Sequence, residues 1–271
     1  MHDGRLRVLA VVCGVLLAGC SSSGGPSDPP GTGSGADAGR IQQLTVDVIS
    51  TRPHERTAFT QGLEIDGGEL YESTGLRGRS YVQRSDLASG GVLARRDLPE
   101  DLFGEGITVA GDRLWQITWQ SHLAIARDPL TLAEKGRATY DGEGWGLCTQ
   151  PDRLVMSNGT ATLTFRDRTT FAALSTVTVT ADGSPVEELN ELECTPDGQV
   201  WANVWQTNQI LRIDPRTGNV TATVDASGLL DPAQARDADV LNGIAAIPGT
   251  DRFLVTGKLW PTIFEVRFVA R

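Results

Sequence analysis

Histidine is scarce in this chain. Three occur in 271 residues, and beyond His2 at the start only His54 and His122 remain, far apart in sequence. No His-Glu-x-x-His is present, which argues against a histidine-rich zinc site. A Ser-His-Asp hydrolase is poorly supported too, because there is no Gly-x-Ser-x-Gly elbow. Positive charge is also short: 24 Lys and Arg stand against 34 Asp and Glu, a net charge of −10. Nothing here would neutralise phosphates, so no nucleic acid is expected as a partner. The acidic balance serves solubility and exerts at most a weak pull on cationic amines. No phosphate-binding glycine loop precedes a helix, and long amphipathic helices are not evident. The apolar run at 8–17 is too short to span a membrane as a helix.

That run follows Arg5 and Arg7 and ends at Leu17-Ala18-Gly19-Cys20. A basic start, a short apolar core and small residues at its end make a secretory signal. A cysteine directly after Leu-Ala-Gly resembles the bacterial lipobox, whose cysteine receives lipid and becomes the new amino terminus. Residues 1–20 therefore read as a lipoprotein signal with lipidation at Cys20. The protein is then expected outside the cytoplasm, held on the outer face of a bacterial cell membrane by its lipid anchor only. The plainer alternative is an ordinary signal that happens to contain Cys20. Residues 21–40 are mostly Ser, Gly, Pro, Asp and Ala, and read as a flexible tether. Residues 41–271 remain for one repeat-built domain with a substantial core.

Five copies of one short phrase organise that domain. They are Phe59-Thr60-Gln61-Gly62-Leu63, Phe103-Gly104-Glu105-Gly106-Ile107, Gly144-Trp145-Gly146-Leu147, Leu189-Asn190-Glu191-Leu192 and Leu241-Asn242-Gly243-Ile244. One position changes its chemistry: Gln61, Glu105, Trp145, Glu191 or Asn190, and Asn242. With Glu191 in the fourth copy these positions lie 44, 40, 46 and 51 residues apart, and Glu105, Trp115 and Trp119 fall on Glu191, Trp201 and Trp205, each 86 residues later. After each phrase come a turn rich in Asp, Gly or Pro and a strand-like run, such as Asp66-Gly67-Gly68-Glu69-Leu70-Tyr71. A third strand signal follows in most copies, as in Ile125-Ala126-Arg127-Asp128-Pro129. A period of 40–50 residues with about four strands per unit is the pattern of a β-propeller. The fold is therefore read as all-β, a five-bladed β-propeller, with the strand near residues 45–50 completing the last blade.

In a propeller the first strand of each blade lines the axis, so the varying positions, Asn242 included, are expected to ring one pocket; the alternative is that the glycines only make tight turns and the polar groups only cap a water-filled channel. With the familiar mechanisms set aside, carboxylate acid/base work in an aromatic pocket remains. Glu105 suits it, because partial desolvation by Phe103 and Trp119 raises a carboxyl pKa toward neutrality. The alternative is an exposed turn glutamate. Alternation places Trp115 and Trp119 on one face of a strand, and likewise Trp201 and Trp205. Trp145 replaces the polar residue of its phrase and is expected to line the pocket. Lys258 is placed in the second strand of the last unit, where a solvated role is equally open. Cys148 and Cys194 each follow their phrase, and export permits a disulfide between them. Two buried thiols are the alternative.

Taken together, these phrases, with Ala-Asn-Val-Trp-Gln-Thr at 202–207 and Thr-Gly-Lys-Leu-Trp-Pro at 256–261, occur in an order that resembles the plant- and bacterial-type glutaminyl-peptide cyclotransferases. The resemblance covers residues 45–268. It implies a five-bladed propeller that turns an amino-terminal glutamine into pyroglutamate and releases ammonia. It implies no required cofactor and no catalytic metal, and leaves room for a structural metal near the propeller axis. By the same resemblance Glu105 is the general acid/base, and Asn190 and Lys258 hold substrate and stabilise oxygen charge. Gln61 contacts substrate, and Phe59, Phe103, Trp119, Trp145 and Trp205 wall the pocket. The expected partner is a peptide or protein with amino-terminal Gln, met by a monomer. Two rivals are a non-catalytic propeller lipoprotein that binds a peptide or small amine, and a metal-dependent lactonase-like hydrolase.

Overall fold

The computed structural model describes residues 40–271. The predicted signal, Cys20 and the tether up to residue 39 lie outside the described residues. The described chain is built of short antiparallel strands. A long β1 (Gln42–Pro53) opens it. There follow β2 (Thr60–Asp66), β3 (Glu69–Thr74), β4 (Tyr81–Asp86) and β5 (Val92–Asp97), paired in that order as one four-stranded sheet. The same meander recurs in β6 (Gly104–Val109), β7 (Leu114–Thr118), β8 (Leu123–Arg127) and β9 (Glu134–Thr139). It recurs again in β10 (Leu147–Thr149), β11 (Leu154–Met156), β12 (Thr162–Arg166) and β13 (Ala173–Thr178). A small hairpin of β14 (Thr180–Ala181) and β15 (Ser184–Pro185) leads into β16 (Leu189–Cys194), β17 (Val200–Val204), β18 (Gln209–Ile213) and β19 (Val220–Asp225). Last come β20 (Leu241–Ala246), β21 (Arg252–Gly257) and β22 (Thr262–Ala270), preceded by a single 3-10 turn at Gln234–Arg236.

The amino-terminal strand does two jobs. β1 pairs antiparallel with β22 from Leu44 to Pro53, as expected, and its first residues also run parallel to β19. One eight-stranded sheet results, in the order β16-β17-β18-β19-β1-β22-β21-β20. Burial falls from the first strands to the last in each meander. β6 and β7 are almost wholly buried, whereas β5, β9 and β13 are mostly exposed and carry polar or charged residues.

Apolar clusters join consecutive sheets. Tyr71 and Val82 pack on Ile107 and Leu114. Trp115 and Ile117 pack on Leu147, Leu154 and Phe171, and Val155 and Leu163 pack on Leu189, Leu192 and Leu211. Leu254 and Ile263 from the end of the chain pack on Leu63 and Leu70 from the beginning, which closes the ring. Around its axis the first strands come very close. A Cβ added at Gly62 would lie 2.7 Å from the backbone nitrogen of Ile107, and one at Gly106 would lie 2.6 Å from that of Leu147. The glycines of the repeated phrase are therefore set by backbone crowding at the axis, not only by turn geometry.

Two expectations need correction. β7 ends at Thr118 and β17 at Val204, so Trp119 and Trp205 lie just past their strands and do not share a face with Trp115 and Trp201. Trp115 packs on Phe171 and Trp201 on Phe253 and Phe268, in the core. Lys258, likewise, stands in the turn directly after β21, not within the strand.

Candidate active site

At the start of four of the five first strands, pairing with the second strand breaks register. The breaks fall between Thr60 and Gly62, Gly104 and Ile107, Leu189 and Leu192, and Leu241 and Ile244. Such bulges re-aim the unpaired side chain, and here they fall on the varying position of the phrase. In the third copy Trp145 comes just before β10. Four of the five surround one end of the axis, where a cavity of about 440 Å³ is lined by Gln61, Glu105, Trp145 and Asn190, with Lys258; contrary to expectation the fifth, Asn242, does not line it but is fully buried, its amide spent on Thr60 and Gln61. Phe59, Phe103, Trp119 and Trp205 complete its aromatic wall. The sequence-predicted catalytic and substrate-binding residues thus all meet in one place.

The fourth copy resolves the choice between Asn190 and Glu191. Ile107 pairs with Gln116 and Leu192 with Ala202, so the first strands match at an offset of 85 and the second strands at 86. The hairpin after β16 is one residue longer than that after β6. Asn190 therefore matches Glu105 and enters the cavity, and the gapless alignment of Glu191 with Glu105 fails. Glu191 occupies the glycine position. Its two carboxylate oxygens accept hydrogen bonds from the backbone N–H groups of Leu63 (3.2 Å) and Ile244 (2.8 Å), tying first strands together.

Glu105 is 4% exposed. Burial pushes its carboxyl well above the usual range, Lys258 opposes that shift, and the negative charge of Glu143 adds to it. One of its oxygens accepts a hydrogen bond from Gln61 Nε2 at 3.0 Å. The orientation of the Gln61 amide is set in turn by Asn242, whose Nδ2 donates to Gln61 Oε1 at 3.1 Å and to the Thr60 carbonyl at 3.0 Å. Lys258 is 5% exposed, and burial lowers its ammonium pKa while Glu105 and then Asp239 draw it back up. Its Nζ lies 5.0 Å from the centroid of the Phe59 ring, a cation–π distance. The backbone around it is clamped: Lys258 N–H donates to Val240 O, Asp239 N–H to Lys258 O, and Leu259 N–H to Ala58 O. Asn190 is 3% exposed, and its Oδ1 is buried without a partner.

Beneath the Lys258 turn lies a buried ion pair. His54 Nε2 is 2.9 Å from Glu72 Oε1 and its Nδ1 is 2.8 Å from the Trp260 carbonyl. Both nitrogens face acceptors, a setting that favours the doubly protonated ring and raises its pKa.

Glu143, Asp239, Val240 and Gln206 were not found by sequence reasoning. The last three line the cavity, and Glu143 holds two of its tryptophans. The only signal for them was adjacency: Glu143 precedes Gly144-Trp145, and Gln206 follows Trp205. Cys148 and Cys194 are joined by a disulfide with a Cα–Cα distance of 5.4 Å, linking β10 to β16. Among the described residues, no group of three or more His, Cys, Asp or Glu is placed to hold a metal ion.

The site can therefore move a proton through one buried carboxyl, offer positive charge and amide N–H groups to a developing oxyanion, and enclose a small side chain in aromatic walls. A family model described as glutamine cyclotransferase matches residues 23–268. A glutaminyl-peptide cyclotransferase of Arabidopsis thaliana is 39% identical over 228 residues, which is 82% of this chain and 71% of the plant protein. The crystal structure of Myxococcus xanthus glutaminyl cyclase is 37% identical and superposes with a TM-score of 0.77, covering 86% of this chain and 100% of the other. On this match of sequence and fold, the chain belongs to the glutamine cyclotransferase family.

Proposed function

We propose that this protein is a glutaminyl-peptide cyclotransferase, an acyltransferase that converts the amino-terminal glutamine of peptides to pyroglutamate and releases ammonia. The observation that carries this reading is Glu105, buried beside Lys258 and Asn190 within a five-ring aromatic pocket, in a chain of this family. In the proposed mechanism the glutamine side chain folds back so that its amide carbon meets its own α-nitrogen. Nucleophile and electrophile belong to one molecule, so the site needs mainly to hold the folded conformer and manage protons. Ionised Glu105 takes a proton from the α-amine as the new C–N bond forms. Lys258 and the Asn190 amide stabilise the oxyanion of the tetrahedral intermediate. Protonated Glu105 then returns the proton to the departing nitrogen as the old C–N bond breaks, so lactam and ammonia leave together. Every proton is accounted for within the substrate and one carboxyl.

Two further parts of this reading concern the whole chain. The eight-stranded sheet is read as two four-stranded blades joined through β1, which with the three four-stranded sheets makes a five-bladed propeller. A lipid on Cys20 would anchor the domain of residues 41–271 outside the cell membrane by a tether of 21–40, as a monomer. The support is the Leu-Ala-Gly-Cys sequence alone, and the mass of the mature amino terminus tests it.

The activity is tested by incubating the full-length protein with dipeptides that begin with Gln and measuring ammonia with and without a chelator. Release above the spontaneous rate that survives chelation is expected. No release would favour a non-catalytic peptide- or amine-binding protein, and release abolished by the chelator would contradict the metal-free mechanism.

A further inference from the structure

The aromatic wall of the cavity is made of two separate arcs. In one, Phe59 meets Phe103 at 6.1 Å between ring centroids and Phe103 meets Trp119 at 5.6 Å. In the other, Trp145 meets Trp205 edge-on at 5.5 Å. Trp119 follows β7 and Trp145 precedes β10, so the break between the arcs falls at the boundary between two sheets.

One carboxylate spans that break. Glu143 Oε2 accepts hydrogen bonds from Trp119 Nε1 at 2.6 Å and from Trp145 Nε1 at 2.9 Å. Its Oε1 accepts from Gln120 Nε2 at 2.9 Å. Burial raises the Glu143 pKa somewhat, but the Gln120 amide and the two indole N–H groups outweigh it and hold the carboxyl below the usual range. The group is therefore an anion at neutral pH, and its hydrogen bonds are charge-assisted. The backbone beneath it is fixed on both sides. Gly144 N–H donates to Trp119 O at 3.0 Å, Trp145 N–H donates to Ser157 O at 3.1 Å, and the His122 ring nitrogen Nδ1 is 2.7 Å from Gly142 O. A Cβ added at Gly144 would lie 2.4 Å from the Tyr140 hydroxyl, so this loop has little room to shift.

We propose that Glu143 is a positioning residue for the cyclisation, fixing the Trp119 and Trp145 rings across the sheet boundary so that the two arcs act as one wall against the folded glutamine side chain. This rests on the cyclotransferase activity proposed above. Glu143 does not line the cavity itself; it acts on the rings through its hydrogen bonds and on Glu105 only through its charge. It also uses the N–H group of each indole, so these rings present apolar faces and edges to the substrate and leave the polar contacts to Glu105, Asn190 and Lys258. A wall held this way selects the compact conformer in which α-nitrogen and amide carbon approach, which is the entropic part of the catalysis.

The test is steady-state ammonia release from a Gln-led dipeptide by the full-length protein, with Glu143→Ala, Glu143→Gln and the pair Trp119→Phe/Trp145→Phe. The phenylalanines keep rings and remove the N–H donors. Glu143→Ala should raise KM on the order of tenfold, as expected for the loss of charge-assisted hydrogen bonds, at an unchanged melting temperature. Glu143→Gln keeps one acceptor oxygen and should recover part of that loss. In the double-phenylalanine background Glu143→Ala should add little, because the interaction it removes is already gone. An unchanged KM in Glu143→Ala, or the same effect in both backgrounds, would overturn the proposal. Acrylamide quenching of tryptophan fluorescence reads ring fixation without turnover: stronger quenching in Glu143→Ala supports the role, and unchanged quenching refutes it. Absence of ammonia release by the unmodified protein would instead count against the activity itself.

Discussion

Glu105 owes its reactivity to where it is held. A carboxyl in water is ionised at neutral pH and a poor proton donor, whereas burial in the aromatic cavity raises the pKa of Glu105 well above the usual range and makes it a better one. Glu105→Gln preserves shape and the acceptor for Gln61 Nε2 but carries no titrating proton. We expect ammonia release to fall by about 10²-fold or more, with an unchanged circular-dichroism spectrum; near-normal turnover would exclude Glu105 as the proton carrier. A second residue-scale prediction concerns His54 and Glu72 under the Lys258 turn. Burial works against both charges, but each partner outweighs it, so the His54 pKa is raised and that of Glu72 is lowered. The histidine contribution to stability is complete below its unfolded value of about 6.5 and is lost as pH rises through its folded value. The glutamate contribution is present above about 4.5 and is lost as pH falls through its depressed folded value. Melting temperature should therefore be highest between these limits. His54→Gln should flatten the alkaline decline, and an identical decline in that variant would disprove the assignment.

At the scale of elements, the first strands position the site because their backbones are crowded. Gly106 has no room for a methyl group, since the obstructing atoms are backbone of the neighbouring strand, which cannot rotate away. Gly106→Ala should cost about 2 kcal/mol or more in urea denaturation, as overpacking does. Gly136, in the outer β9, meets nothing within 4 Å, and Gly136→Ala should change stability by less than about 0.5 kcal/mol. Equal effects at the two sites would contradict the axial-crowding account. The elements were largely legible beforehand. Hairpin residues such as Gly67-Gly68 separate β2 from β3, and the turn aspartates Asp128 and Asp167 each accept backbone N–H bonds between third and fourth strands. What was misread was extent. The period-2 pattern carried β7 one residue too far, and its end at Thr118 sends Trp119 to the cavity and Trp115 to the core.

For the whole molecule, closure depends on joining segments distant in sequence. β1 is zipped between β19 and β22, and the Cys148–Cys194 disulfide staples β10 to β16 across a sequence separation of 46. A bridge over a loop of that size contributes about 4 kcal/mol through the unfolded chain. Reduction, or Cys148→Ser with Cys194→Ser, should therefore lower the melting temperature while leaving KM for a Gln-led dipeptide unchanged, because neither cysteine lines the cavity. A shift in KM with no loss of stability would assign the bridge to the site instead.

The sequence by itself determined the repeat, the all-β class and the phrases of which four place their varying residue in the cavity, because strand alternation, turn chemistry and axial glycines are local demands repeated along the chain. It also contained the motif order that marks the family. Only the tertiary structure decided between Asn190 and Glu191, since one extra residue in a hairpin shifts the first strand against the second without leaving a local trace. It alone brought Glu143 to Trp119, and Asp239 to Lys258. Those contacts cross between elements, and no spacing within one repeat encodes them.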